Sequence, residues 1–546
     1  MSPLASSAPI EPGSLATCIA SAVLWVALHL PLLSLESFAA TLVGEDAQGA
    51  GCAIALVDEH CISAVNAVAL AQGVKPGLKR ATALALAPRI VLGQADPVRD
   101  AEAMLPVAHA ALAFTPQVSL QPPTEPGRAA DTVLLEVQAS LRYFGGIDRL
   151  LQRLRASVEP FGHALRVASA ATAQGAAVLA RVDPPPLCLT LEATQAAVSR
   201  APVWLLGPGR AHWEALQGMG LRQVGDLLGL PRAGLARRFG ETLLAELDAA
   251  FGRRADPREP IVPARTFESR LELFARADSS EQVLHGASVL LARLVAWLAA
   301  QHAFVRRFRL LMHHETRWQQ GDRTPQATAL EIALAEPSRD SAHLLVLLRE
   351  RLAQLQLPAP TLELALQAED IVKRAPPNGE LFPTRQSEDA GLTRLIERLQ
   401  ARLGAGQVQR LAAVEDHRPE RASRLGAGAA PARAARSSQR GASCIAQSPA
   451  DQAAMAASPC ARPVWLQRPE PLAERNARPL LEGHPLALLS GPERIESGWW
   501  DAELAERDYF IAEAVDGALV WIYRARLPFS AEGGNEGGWF LHGRFG

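Results

Sequence analysis

The chain has 546 residues, of which 48% are hydrophobic and 21% are charged, and its formal net charge is −2. This composition is typical of a globular protein, and the length is sufficient for several domains. The near-neutral charge excludes a global positive field that would recruit nucleic acid, so any nucleic-acid contact must be a local patch. The six cysteines include no C-x-x-C pair, which predicts a reduced, cytoplasmic protein with free thiols.

The N-terminal region carries two competing signals. Residues 1–22 are mostly small and polar, which predicts a disordered extension. Residues 12–35 contain no Asp, Glu, Lys or Arg, and a stretch of this length is long enough to span a membrane. However, no Lys or Arg precedes Lys75, so the positive flank of a membrane helix or signal peptide is missing. We therefore predict a buried strand at 24–30 and keep a membrane-associated protein as the alternative.

The most specific pattern in the chain lies between residues 131 and 146. Residues 131–137 read Asp-Thr-Val-Leu-Leu-Glu-Val, and this short apolar run is typical of a buried strand. A Gly-Gly pair then precedes a segment with helical spacing at 147–158. The segment resembles the strand of Y-family DNA polymerases in which an Asp-Glu pair holds catalytic Mg²⁺. Here the Asp position is Asp131, and the Glu position is Thr132.

Other segments resemble the same family but lack its charged residues. His29 stands where active polymerases carry Asp-x-Asp, and one imidazole cannot replace a hard oxygen site for Mg²⁺. We interpret His29 as a packed side chain. The resemblance places Ala67 and Leu70 at the Tyr and Arg that contact the incoming triphosphate, and Ala177 at a phosphate-directed Lys. It therefore implies degenerate metal and nucleotide sites, with no metal and no cofactor.

Two later regions resemble the DNA-binding parts of the family. Residues 218–227 resemble its helix-hairpin-helix thumb, where backbone N–H groups of a glycine-rich hairpin meet a DNA phosphate. A helical bundle with a solvated charged face is the alternative for this region. The strand at 303–312 belongs to a region that resembles the little finger, which grips duplex DNA. The candidate DNA contacts are Gly207, Gly209, Arg210, Arg306, Arg307 and Arg309.

The last third of the chain predicts a partner-binding region. Ligands of the bacterial sliding clamp resemble Gln-Leu-x-Leu-Phe, and here Asn378, Leu381 and Phe382 follow that pattern, with Leu381 and Phe382 as apolar anchors. A helix is predicted at 392–404. Residues 418–459 are rich in Ala, Arg, Ser and Pro, which predicts a disordered linker. The aromatic, strand-like segments after residue 490 predict a small β-rich module with an interaction surface in the region 461–546.

Taken in order along the chain, these segments resemble ImuB proteins, the Y-family polymerase relatives of bacterial mutagenesis cassettes. The resemblance implies an α+β fold with a ferredoxin-like palm and fingers at 23–186 and a thumb at 187–262. A little finger at 263–375, a clamp-motif segment and linker at 376–460, and a C-terminal module at 461–546 would follow.

The function that this resemblance implies is that of a non-catalytic adaptor in error-prone translesion DNA synthesis. Its partners would be the sliding clamp, DNA of any sequence, the RecA-like ImuA and an error-prone C-family DNA polymerase. Two-metal phosphoryl transfer requires carboxylates that hold two Mg²⁺ ions, and of those expected only Asp131 is present. An active translesion polymerase that uses Glu36, Asp131 and Glu136 is the alternative.

Overall fold

The computed structural model describes residues 23–43, 52–125, 127–315, 326–374, 385–427, 462–463, 465–501, 503–526 and 538–545. The chain divides into two compact units, which meet in the sequence between Arg402 and Leu403. Each unit contains sheets, and the long helices lie in the first unit. This mixed composition agrees with the predicted α+β class.

The first part of the first unit alternates strands and helices. In chain order its elements are β1 (Trp25–His29), α1 (Leu33–Ala39), β2 (Ile54–Asp58), β3 (Cys61–Val65), α2 (Ala67–Ala71), α3 (Arg80–Leu86), β4 (Val91–Gly93), α4 (Pro97–Ala111), β5 (Val118–Leu120), β6 (Thr132–Glu136), α5 (Leu141–Phe144), α6 (Ile147–Val158), β7 (Arg166–Ala170), α7 (Ala173–Leu179) and α8 (Leu191–Arg200).

A four-stranded antiparallel sheet with the order β5-β6-β1-β7 forms the centre of this part. Helices α4 and α6 cover one face of the sheet, where they pack against Val26 and Leu28 of β1. Helix α7 covers the other face and packs against Ala27. Because both faces are buried, β1 is apolar along its length rather than alternating. The predicted buried strand at 24–30 is confirmed.

Strand β1 also bears on the membrane alternative. Residues 23–35 form β1 and the start of α1, and a strand that is hydrogen-bonded along both edges is not a membrane helix. The described part of that segment therefore contradicts the alternative, while residues 12–22 lie outside the described ranges. A smaller sheet with the order β3-β2-β4 lies beside α1, α2 and α3.

The next region is helical, which agrees equally with the predicted thumb and with its alternative, a helical bundle. Its short helices share one apolar core with α7 and α8, in which Leu216, Val224 and Leu247 are buried. Gly220 lies between two of these helices with φ +83°, a conformation that glycine adopts without steric cost. The helices are α9 (Gly207–Ala211), α10 (Trp213–Gly218), α11 (Val224–Leu228), α12 (Arg232–Phe239) and α13 (Glu241–Ala250).

A second antiparallel sheet with the order β10-β9-β11-β8 completes the first unit. Two long helices, α14 and α15, cover one of its faces and bury Phe308 and Leu310. By length and composition, α14 is a helix of the described residues that could cross a membrane, but 56% of its most apolar window is buried inside the protein. The elements are β8 (Glu268–Ala277), α14 (Ser280–Ala300), β9 (Ala303–His314), β10 (Ala327–Ser338), α15 (Ser341–Ala353), β11 (Thr361–Lys373) and α16 (Arg385–Leu403).

The second unit is a β-structure. A seven-stranded antiparallel sheet has the order β16-β15-β14-β20-β19-β18-β17, and a separate hairpin is formed by β12 and β13. Tyr509, Trp521 and Tyr523 are buried in its core, whereas Trp499 and Trp500 are 78% and 56% exposed. The strands are β12 (Gln409–Ala413), β13 (Ser423–Ala427), β14 (Trp465–Arg475), β15 (Arg478–Leu481), β16 (His484–Pro485), β17 (Ala487–Ser497), β18 (Ala505–Glu513), β19 (Leu519–Ala525) and β20 (Trp539–Arg544).

One sequence-based prediction is wrong in its first part. Residues 418–427 were assigned to a disordered linker, but they form a turn and strand β13. The side chain of Arg418 is only 3% exposed and lies 2.8 Å from Asp416 and 2.6 Å from Asp501. Ion pairs with distant carboxylates order this polar segment, and composition does not reveal them. Residues 428–461 lie outside the described part of the chain.

Candidate functional site

The structure brings together the three residues at the predicted degenerate metal site. His29 ends β1, and it pairs in register with Thr132, the first residue of β6. The Nδ1 atom of His29 lies 3.0 Å from Oγ1 of Thr132 and 3.6 Å from Oδ1 of Asp131. The Thr132 hydroxyl donates a 2.8 Å hydrogen bond to the same Asp131 oxygen. The three side chains therefore form one hydrogen-bonded cluster where β1 ends and β6 begins, at one end of the two inner strands of the central sheet.

Arg181 completes this cluster. Its guanidinium Nη2 donates a 2.8 Å hydrogen bond to Oδ1 of Asp131, and the side chain is largely buried. Burial alone would raise the pKa of Asp131, but the interaction with His29 and the charge of Arg181 outweigh it and hold the pKa well below its usual range. The carboxylate is therefore ionised and paired with a cation that the protein itself supplies.

This arrangement does not fit a two-metal site. Mg²⁺ requires several oxygen ligands in near-octahedral geometry, and a second cation beside Asp131 would be repelled by the guanidinium of Arg181. Within the described residues, no group of three or more His, Cys, Asp or Glu side chains is placed to hold a metal ion. A threonine hydroxyl and an imidazole stand where the family resemblance expects carboxylates.

The carboxylates of the alternative active polymerase do not assemble around Asp131. Glu136 ends β6, four residues beyond Thr132, and a strand rises about 3.3 Å per residue, so the two ends lie roughly 13 Å apart. Glu36 is engaged elsewhere, because it accepts a 2.9 Å hydrogen bond from the backbone N–H of Ala164 and lies 3.1 Å from Nδ1 of His163. The structure thus gives no support to this alternative.

A cleft of about 680 Å³ opens beside Asp131. Acidic side chains, Asp58 and Glu59, line it together with Arg128 and Arg210. The predicted nucleotide-binding positions supply no charge there. Ala67 begins α2 and Leu70 is half-exposed on the same helix, while Ala177 is fully buried in the core beneath the central sheet.

Carboxylates of the protein occupy the thumb groups that we predicted to contact DNA. The backbone N–H of Gly207 donates to both carboxylate oxygens of Glu246, at 3.2 and 3.1 Å. The Nε atom of Arg210 lies 3.2 Å from Oε1 of Glu125. Gly209 has a packing role, because a Cβ atom at this position would lie 2.3 Å from the carbonyl oxygen of Val203. Contacts within the protein therefore account for all three positions without bound DNA.

Backbone N–H groups of the hairpin between α10 and α11 also have hydrogen-bond acceptors within the protein. The N–H groups of Arg222 and Gln223 both donate to Oδ2 of Asp226 at 2.9 Å. The N–H of Gly220 donates to the carbonyl of Gln217, and that of Val224 to the carbonyl of Ala201. These amides have their partners inside the protein, so a phosphate at this hairpin would have to displace Asp226.

Arg307 and Arg309 lie on the face of the second sheet opposite α14 and α15, since Phe308 between them points into the core. Arg306 is exposed where the pairing of β9 with β11 shifts register. Each one is half-exposed and paired with an acid on a neighbouring strand. Arg306 lies 3.7 Å from Asp370, Arg307 lies 3.4 Å from Glu331, and Arg309 lies 2.8 Å from Glu369. Exposed pairs of this kind are weak, so a phosphate can replace the carboxylate at low cost.

No protein-family model matches the chain. Two curated proteins named ImuB, from two strains of Caulobacter vibrioides, are each 29% identical to it over 496 residues, which cover 87% of this chain and 100% of the relative. The predicted resemblance to ImuB is confirmed. A solved ternary complex of Dbh with partially disordered substrates matches 64% of this chain and 99% of its own, at 13% identity and a TM-score of 0.35. That score is too low to establish a shared fold.

Some site residues of this ImuB-like chain were missed by sequence reasoning. Arg181 was not predicted to be a site residue, and its pairing with Asp131 was not foreseen. Glu125 and Glu246 carried no sequence signal, because an isolated Glu in a loop or helix is usually solvated. The predicted clamp residues Asn378, Leu381 and Phe382 lie outside the described residues.

Proposed function

We propose that this chain is a non-catalytic, Y-family polymerase-like adaptor in error-prone translesion DNA synthesis. The observation that carries the proposal is the pairing of Asp131 with Arg181, together with Thr132 and His29 at positions where a polymerase needs carboxylates. The similarity to ImuB proteins supports the assignment to mutagenesis and the response to DNA damage.

Two independent features of the chain oppose catalysis. In-line transfer of a nucleotide needs two metal ions that neutralise the attacking and leaving oxygens, and the cluster around Asp131 offers one carboxylate that is already neutralised. The triphosphate also needs cationic or hydroxyl side chains, and Ala67, Leu70 and Ala177 cannot provide them. The absence of the metal site alone, or of the triphosphate contacts alone, would abolish efficient synthesis.

A primer-extension assay tests this proposal. The full-length protein is incubated with a primed template, all deoxynucleotides and either Mg²⁺ or Mn²⁺, and we expect no extension. The double substitution His29→Asp with Thr132→Glu should not restore synthesis, because the triphosphate remains unheld. Extension by the wild-type protein that Asp131→Ala abolishes would contradict the proposal.

The adaptor role requires partners, and we propose four in the cytoplasm. They are the sliding clamp, DNA of any sequence, ImuA and an error-prone C-family DNA polymerase. The exposed Trp499 and Trp500 of the second unit support the view that this unit binds protein partners, because tryptophan is enriched where interfaces concentrate their energy. DNA would contact the arginines of β9 through its phosphates.

Clamp binding is proposed to depend on Leu381 and Phe382, with Asn378 in the place of the usual Gln. Burial of each apolar anchor contributes about 1.5–3 kcal/mol, so replacing both with Ala should weaken clamp affinity roughly a hundredfold or more. Surface plasmon resonance with the immobilised clamp measures this. Leu362→Ala, at an exposed leucine of β11, is the control. Unchanged affinity of the double variant would place the clamp site elsewhere in the chain.

A further inference from the structure

Helix α16 packs on the first unit with its polar side and exposes its leucines. Thr393, Glu397 and Ala401 recur at every fourth position and are 3%, 8% and 6% exposed. Leu392, Leu395 and Leu399 lie on another side of the helix and are 50%, 53% and 38% exposed. A helix at the surface of a globular protein normally buries its apolar stripe, so this arrangement is inverted.

Polar contacts fix this orientation. Oε1 of Glu397 accepts a 2.6 Å hydrogen bond from the backbone N–H of Ala335, and Oε2 lies 2.7 Å from Nε2 of His343. Ala335 belongs to β10, an edge strand of the second sheet, and edge N–H groups need acceptors. Arg394 adds an ion pair to Asp340 at 3.2 Å. These contacts hold the helix so that the leucines remain outside.

Positive charge borders the exposed leucines. On a helix of 3.6 residues per turn, positions 398 and 402 lie next to positions 395 and 399. Arg398 and Arg402 therefore flank the leucines along one edge. Arg398 is 60% exposed and lies 4.0 Å from Glu350, which is a weak contact. A ligand that covers the leucines meets this cationic border.

We propose that the leucine stripe of α16, formed by Leu392, Leu395 and Leu399, is a docking surface for an amphipathic helix of another protein whose apolar stripe is bordered by carboxylates. Spacings of three and four residues are those at which helices interlock side chains. The arginine border selects acidic partners, because complementary charges at an interface rim favour association and like charges oppose it. None of these three leucines is among the proposed clamp residues, and the stripe belongs to the first unit, so the inference goes beyond the proposed function.

Two designed helical peptides test the proposal. They share one leucine stripe, which is bordered by Glu in one peptide and by Lys in the other, and both carry a fluorophore for anisotropy with the full-length protein. We expect the Glu-bordered peptide to bind roughly tenfold more tightly than the Lys-bordered one. Leu395→Ser with Leu399→Ser should weaken its binding roughly tenfold, whereas Leu362→Ser, at an exposed leucine of β11, should not. Arg398→Glu with Arg402→Glu should reverse the preference between the peptides.

Three results would overturn the proposal. They are an absence of binding by either peptide, equal binding of both, or binding that the serine variant leaves unchanged. Light scattering tests whether the leucine stripe binds a second copy of this chain instead of another protein. A wild-type dimer that Leu395→Ser with Leu399→Ser converts to a monomer would show that the stripe joins two copies of this chain instead. The charge-reversal variant keeps the test decisive if the serine variant fails to fold.

Discussion

Asp131 shows how the surroundings of a carboxylate determine its chemistry. In the Y-family pattern that this chain resembles, the corresponding aspartate holds a metal ion, whose positive charge favours the ionised carboxylate. Here Arg181 supplies that positive charge at 2.8 Å. Because a guanidinium is always protonated and is fixed by the fold, the carboxylate needs no metal to be stable. Asp131 therefore has a structural role in this chain.

This role predicts a pH-dependent contribution to stability. The pKa of Asp131 is held below its usual range in the folded protein, so the ionised group stabilises the fold above the unfolded-state pKa of about 3.9. The contribution is lost as pH falls below that value. Asp131→Asn should lower the free energy of unfolding by about 1 kcal/mol at pH 7, a modest figure because the carboxylate is partly exposed and the pair is screened.

Denaturant unfolding of both proteins at pH 7 and near pH 3.5 measures this difference, which should shrink at the lower pH. Asp278→Asn is the control, since Asp278 forms only a long, exposed pair with Arg276 at 3.8 Å. A difference between wild type and Asp131→Asn that stayed constant with pH would show that the charge of Asp131 is not the stabilising feature.

Long, periodic elements were predictable from the sequence, and pairings between distant segments were not. The helix at 147–158 has the bounds of α6 because Leu150, Leu151 and Leu154 form one apolar side. Strand β14 was missed because its residues are mostly exposed, so no apolar alternation marks it. That His29 and Thr132 belong to one degenerate site was implied by the family resemblance, but Arg181 comes from a segment 50 residues from Asp131. Its contact depends on tertiary packing, which no local pattern encodes.

The ion pairs on the second sheet lead to a prediction about DNA binding. Arg307 and Arg309 each contact Glu331, and Arg309 also contacts Glu369. The double substitution Glu331→Gln with Glu369→Gln removes the competing carboxylates without changing side-chain size. We expect affinity for duplex DNA to rise several-fold at about 50 mM salt and the gain to diminish at higher salt, because phosphate contacts release counterions.

Fluorescence anisotropy with a labelled duplex over a range of salt concentrations tests this. The matched control is Glu268→Gln with Glu363→Gln, at acids that pair with Arg270 rather than with an arginine of β9. The gain should vanish when Arg306, Arg307 and Arg309 are all replaced by Ala. If the gain persists in that background, DNA binds elsewhere on the molecule.

Across the first unit, carboxylates of the protein itself contact the groups that we predicted to bind DNA phosphates. Glu246 caps Gly207, Glu125 pairs with Arg210, and Glu369 pairs with Arg309. The near-neutral net charge of the chain has the same consequence at long range, because no strong field draws DNA in. With this charge distribution, the proposed DNA binding would exchange weak internal pairs for phosphate contacts, and the proposed protein partners would supply recruitment. This is the behaviour expected of an adaptor.

The boundary between the two units gives a final prediction about how the chain can be divided. The second unit begins at Leu403, well before the predicted start at residue 461. Its hairpin, β12 and β13, is joined to the seven-stranded part through Arg418, which contacts Asp501 at 2.6 Å and the carbonyl of Glu503 at 3.1 Å. The guanidinium also lies over the ring of Trp500. A fragment that starts at 462 therefore leaves Asp501 without its cation.

We expect the fragment 404–546 to unfold cooperatively and at a higher temperature than the fragment 462–546, as measured by circular dichroism. Within the longer fragment, Asp501→Asn should lower the unfolding temperature part of the way toward that of the fragment 462–546. The substitution weakens the contact to Arg418 and leaves the rest of the unit unchanged. Glu474→Gln, on the exposed strand β14, is the control and should have no effect. Equal unfolding temperatures for the two fragments would mean that residues 404–427 do not stabilise the β-structure, and that the unit begins at about residue 462.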